Sequence, residues 1–149
     1  MRRLFAAVLL FLAAAPLFAV DTARADGKAV VNGKTVRFKY AYAYTTGEQG
    51  VTVLVTDRTL RRWDDPRKPV PKRVQAIRIV FEADGETRVR QIVLQTSDGT
   101  YAVDNPKVGM NLDIEEDAIE GSISLPTTTI PASGATVRIR IAFNAEYSK

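Results

Sequence analysis

Ala29-Val30-Val31-Asn32-Gly33-Lys34-Thr35-Val36-Arg37 is the stretch that decides the fold class. Two apolar-rich runs flank Asn-Gly, the pair that best tolerates the two positive φ angles of a type I′ turn, so the stretch predicts a β-hairpin. Alternation continues through Val36, Phe38, Tyr40, Tyr42 and Tyr44, with Arg37, Lys39, Ala41 and Ala43 between them. A period of two is strand spacing. It predicts that the three tyrosines extend the core face begun by Val36 and Phe38, with Tyr44, nearest the next turn, the most exposed. Residues 46–50 then turn the chain into 51–56, a β-branched run suited to a buried central strand.

The same pattern recurs over 74–83, 87–95, 100–103, 108–114, 118–125 and 135–145. Asp84-Gly85, Ser97-Asp98-Gly99 and Asn105-Pro106-Lys107 read as turns, and 126–134 as a Thr- and Pro-containing connection. Eight or nine hairpin-connected strands, with at most one helical turn near 114–119, predict an all-β antiparallel two-sheet sandwich of immunoglobulin-like architecture. An outer-membrane barrel fits less well. Several strands fall short of the ~9–11 residues such barrels use, and Tyr147-Ser148-Lys149 is not an aromatic terminus.

Residues 1–25 read as an export signal. Arg2 and Arg3 precede an apolar run over 4–20 broken by Pro16, and Ala23-Arg24-Ala25 offers the small-x-small cleavage pattern. An uncleaved anchor is the competing reading, but 17 residues interrupted by Pro lie at the lower edge of a membrane span. The expected working unit is residues 26–149, a single domain in the bacterial periplasm or secreted, with no transmembrane segment after cleavage. Its 124 residues can bury about two-thirds of the unfolded surface. With no Cys there are neither disulfides nor a cysteine to carry lipid, so stability rests on packing and sheet hydrogen bonds.

Losing Arg2, Arg3, Arg24 and Asp21 with the leader lowers the net charge from +4 to +2, too little to imply a nucleic-acid partner. The chain has no His, which removes the usual general base, every His-activated nucleophile and the commonest zinc or copper ligand. No catalytic signature or cofactor motif remains. A non-enzymatic role with no cofactor is the expectation.

Charge is concentrated in two places. The segment 57–73 breaks the strand pattern with three prolines, and loops of this length tend to be functional or mobile. Within 58–73, Arg58, Arg61, Arg62, Arg67, Lys68, Lys72 and Arg73 surround Trp63, against only Asp64 and Asp65. This predicts a docking surface for an anionic envelope component or protein, with arginines for bidentate contacts and Trp63 as an amphipathic anchor. The plainer reading is a solvated crossover loop with Trp63 packed on the sheet. The second concentration, Asp113-Ile114-Glu115-Glu116-Asp117-Ala118-Ile119-Glu120, lacks calcium-loop spacing and reads as a solvated turn or as an internal partner that neutralises the basic loop.

The stretches Val31-Asn32-Gly33-Lys34-Thr35-Val36, Tyr40-Ala41-Tyr42-Ala43-Tyr44 and Val51-Thr52-Val53-Leu54-Val55-Thr56-Asp57-Arg58 resemble a group of bacterial exported proteins without assigned activity. Glu120-Gly121-Ser122-Ile123-Ser124 before a final strand is similar to the same group. In that group Pro often follows the Asp-Arg turn, where this chain has Thr59-Leu60-Arg61-Arg62-Trp63. The resemblance implies an exported sandwich domain and no catalytic residue. The leading expectation is therefore an envelope binding module acting through Arg58, Arg61, Arg62, Trp63, Arg67, Lys68, Lys72 and Arg73. The alternatives are a carboxylate-dependent hydrolase acting on sugars, for which the adjacent doublets Asp64-Asp65 and Glu115-Glu116 point to opposite faces of a strand, and a structural module with an exposed apolar strand edge.

Overall fold

The structure, a computed structural model, describes residues 24–47, 50–61 and 64–148. Nine strands account for most of them: β1 (Arg24–Val31), β2 (Lys34–Thr46), β3 (Gly50–Thr56), β4 (Ala76–Glu82), β5 (Arg88–Thr96), β6 (Gly99–Asp104), β7 (Gly109–Ile114), β8 (Ala118–Thr129) and β9 (Thr136–Glu146). No helix occurs among the described residues. The leader assigned to 1–25 lies outside the described residues except for Arg24 and Ala25, which open β1 opposite Asn144 and Phe143.

All strands belong to one open antiparallel sheet, in the order β6-β5-β4-β3-β2-β1-β9-β8-β7. Each neighbour pair but one is a sequential hairpin. The exception is β1–β9, which joins the two halves through a ladder running from Arg24↔Asn144 to Val31↔Val137. The Asn32-Gly33 turn forms as expected, with φ of 48° and 81°, and its two-residue loop sets Val31 opposite Lys34 and Lys28 opposite Arg37.

The sheet is not flat. β4 and β9 stand four places apart in the strand order, which would separate them by about 19 Å in a planar sheet. Yet the rings of Phe81 on β4 and Phe143 on β9 lie with centroids 6.4 Å apart. The sheet curls so that its inner face closes on one core. That core holds Val36 and Phe38 of β2, Val53 and Val55 of β3, Ile77, Ile79 and Phe81 of β4, and Val137, Ile139, Ile141 and Phe143 of β9. The backbone of β9 crowds Gly27. A Cβ there would lie 2.3 Å from the Arg140 carbonyl oxygen and 2.6 Å from the Ile141 Cα.

Two expectations are corrected. The tyrosines do not extend the face of Val36 and Phe38. The strand pairing of β1 with β2 is irregular between Arg24 and Gly27, and beyond it Ala41 and Ala43 line the core instead. A bulge shifts the side-chain phase by one, so Tyr42 and Tyr44 pair with Leu54 and Thr52 on the outer face. Tyr44, expected to be the most exposed, is only 5% exposed. Likewise 126–129 is not a connection but the end of β8, which passes Pro126 through a second irregularity between Leu125 and Thr128. Proline has no N–H to give a ladder, and a bulge is where a strand tolerates one.

Candidate functional site

The basic loop folds back over the outer face of β2–β5. Its backbone and the sheet's polar side chains hold it there. The Tyr42 hydroxyl accepts from the Leu60 N–H at 3.0 Å. Arg78, projecting from β4, donates to the carbonyls of Pro66 and Lys68, both at 2.9 Å, and to the Tyr44 hydroxyl, with its guanidinium 5.7 Å from the Tyr44 ring centroid. Gln95 on β5 donates to the carbonyls of Val70, Pro71 and Val74. Tyr44, Leu54, Val74 and Ala76 are buried beneath this cover, outside the main core, together with Thr52 and Thr56.

Carboxylates absorb part of the loop's charge. Arg73 donates to Asp64 at 2.8 Å, Arg67 lies 3.6 Å from Asp65, and Arg58 lies 3.6 Å from Asp57. Arg67 also donates to the Ser148 carbonyl at 2.9 Å, tying the loop to the far end of the chain. Asp64 is held below the usual carboxylate range, chiefly by the Arg61 N–H that it accepts and further by Arg73. That contribution is present above the unfolded carboxylate range and is lost as pH falls through the lowered folded value. Lys68 and Lys72 remain exposed with no ion pair described. Arg62 and Trp63 lie outside the described residues. The acidic segment supplies none of the loop's described ion pairs. Instead it closes the β7–β8 hairpin, with the Glu115 N–H donating to the Ala118 carbonyl at 2.9 Å.

Burial raises the Tyr42 phenol above its ordinary range, against the opposing hydrogen bond from Leu60. A phenol raised in the folded state stabilises the docked loop fully below its unfolded pKa of about 10, and that contribution disappears as pH rises through the higher folded value. Phenolate absorbance during an alkaline titration is expected to show Tyr42 and the part-buried Tyr147 ionising late. Tyr42→Phe should remove one of them. If it left the titration unchanged, Tyr42 would not be covered.

A second polar surface lies on the outer face of the other half of the sheet. Cross-strand pairing sets Arg37, Lys28, Arg140 and Ser124 side by side on β2, β1, β9 and β8. The next row along the strands is Asp26, Ala142, Ser122 and Asn111, and the next runs Arg24, Asn144, Glu120 and Asp113, bringing Glu120 opposite Asp113. Two shared depressions of ≈ 660 and ≈ 740 Å³ run over these rows. Among the described residues no group of three or more acidic side chains is arranged to hold a metal ion. Sequence reading missed both the cation row and the Asp113–Glu120 pair. Half of the row was accessible to it, since a two-residue Asn32-Gly33 loop alone puts Lys28 opposite Arg37. No protein-family model matches the chain, and no curated protein or solved structure is significantly similar to it.

Proposed function

We propose that this chain is a non-enzymatic exported module of the bacterial envelope, built as a two-layer sandwich of immunoglobulin-like character, that binds an anionic partner through the 58–73 loop. The observation that carries the reading is the loop's attachment. Hydrogen bonds from Arg78, Gln95 and Leu60 fix it as a platform, while Lys68 and Lys72 stay exposed on it. A fixed cationic platform spends little conformational entropy when it docks. The contact of Phe81 with Phe143 supports the two-layer reading, since one curled sheet then supplies both layers.

The test is co-sedimentation with phosphatidylglycerol vesicles, with phosphatidylcholine vesicles as the neutral comparison. Wild type is expected to bind the anionic vesicles in a salt-sensitive manner. Lys68→Ser/Lys72→Ser should weaken that binding severalfold without shifting the melting temperature. Equal binding to both vesicle types, or an unaffected variant, would overturn the loop as the docking surface.

A structural assembly role is the second reading, and one feature favours it. β7 is an edge strand, and Met110 and Ile114 on it are 37% and 39% exposed. Strand addition by a partner would cover both. The hydrolase alternative would draw on Asp64-Asp65 or Glu115-Glu116, but Asp64 and Asp65 are engaged by Arg61, Arg73 and Arg67, and Glu115 and Glu116 are exposed at the β7–β8 turn. Glycoside hydrolysis calls for an acid sheltered enough to remain protonated.

A further inference from the structure

Like charges placed directly opposite each other on neighbouring strands destabilise a sheet. This protein does that twice on one face: Lys28 stands between Arg37 and Arg140, and Asp113 faces Glu120. Among the described residues none of the three cations has an ion-pair partner, although Asp26 lies one row away on the same face. Along β1 the signs alternate as Lys28, Asp26 and Arg24, but across the strands three cations stand together at one end of the face, and beyond them Asp26, Glu120 and Asp113 are set against Arg24.

The geometry sets what such a surface can hold. Neighbouring strands are about 4.8 Å apart, so the three cations span about 10 Å across β2, β1 and β9. Arginines on either side of a lysine can grip one oxyanion bidentately while the ammonium adds a point charge. From that row to the Asp113–Glu120 row is four residues along β9, or about 14 Å. The row between them is Asp26, Ala142, Ser122 and Asn111, short and mostly polar side chains that leave an open floor. Met110, at the β7 edge, is the large apolar side chain exposed beside it, and one such side chain offers no bed for an acyl chain. Beyond the cation row a polyanion lying along the whole depression would meet three carboxylates, Asp26, Glu120 and Asp113, against one cation, Arg24, whereas hydroxyls there would find acceptors. From this juxtaposition we infer that the outer face of β1, β8 and β9 is a binding site for a saccharide terminated by a single oxyanion. The terminal phosphate or carboxylate sits on Lys28, Arg37 and Arg140, and the neutral sugars extend toward Asp113 and Glu120. The site is separate from the 58–73 loop and does not depend on it.

The test uses an array of immobilised oligosaccharides, each present in neutral form and with a terminal phosphate or glucuronate, probed with the full chain. Binding is expected only to the anion-terminated members, and the two termini show whether phosphate or carboxylate is preferred. Lys28→Ser/Arg37→Ser/Arg140→Ser should lower the signal at least about tenfold, the loss expected when charge-assisted hydrogen bonds are removed. Its melting temperature should be unchanged or higher, because mutual repulsion has been relieved. Ser122→Val, which raises the floor, should weaken saccharide binding while leaving competition by inorganic phosphate unaltered. The inference is overturned if no member binds, if neutral members bind as well as charged ones, or if inorganic phosphate competes as effectively as the free oligosaccharide. It also fails if the triple variant binds normally. Loss of saccharide binding in Lys68→Ser/Lys72→Ser alone would move the site to the loop.

Discussion

Gly27→Val is expected to unfold the protein or leave it barely stable. A side chain at this position has no free direction, because its first atom would stand 2.3 Å from the Arg140 carbonyl oxygen and 2.6 Å from the Ile141 Cα. These are backbone atoms of the neighbouring strand, so no rotamer change relieves the contact and β1 must part from β9. Among the described residues that pairing is the one strand ladder joining the two halves of the sheet. Overpacking costs about 1–3 kcal/mol where side chains can yield, and more where they cannot. The total for a domain of this size is about 5–15 kcal/mol. Gly85→Ala is the control. Gly85 has a φ of 80° but open space around a new Cβ, so only the left-handed backbone is penalised, by about 1–2 kcal/mol. Chemical denaturation followed by circular dichroism compares the two. A Gly27→Val protein as stable as Gly85→Ala would show that β1 and β9 do not approach as described.

The second large effect is expected from Phe81→Ala. Phe81 is 1% exposed and meets Phe143 across the curled sheet, at an interplanar angle of 48°. Removing a buried phenyl ring typically costs about 3–5 kcal/mol, part of it from the cavity left behind. Phe143→Ala should cost a similar amount. The double variant should cost less than the two together, by about 0.5–1.5 kcal/mol for the tilted ring pair. Strictly additive losses would mean that β4 and β9 do not face each other, and the sheet would then be flatter than described.

The strands themselves were largely legible, because each depends on neighbours within a few residues. Asn32-Gly33 names its own turn, and the alternation over 136–146 marks β9 as half-buried. What escaped reading is what alternation cannot encode. The phase shift between Phe38 and Ala41 depends on an irregularity in the partner strand, so three tyrosines were assigned to the wrong face. Pro126 looked like the end of a strand because a bulge has no composition of its own. Pairing of β1 with β9 spans more than a hundred residues, and nothing in either segment names the other. For the same reason the cation row could be half seen: Lys28 and Arg37 share a hairpin, while Arg140 joins them only through the fold. The 58–73 loop stood out as charged and unpatterned. Its anchoring by Arg78 and Gln95, which lie inside strands, could not be read locally.

Lys28 lies between Arg37 and Arg140 in the middle of one sheet. Cross-strand nuclear Overhauser contacts in the isotope-labelled protein test it most directly. Contacts are expected from the Lys28 backbone to both Arg37 and Arg140. Contacts to Arg37 with none to Arg140 would contradict it, leaving an isolated hairpin in place of the joined sheet and dissolving the cation row.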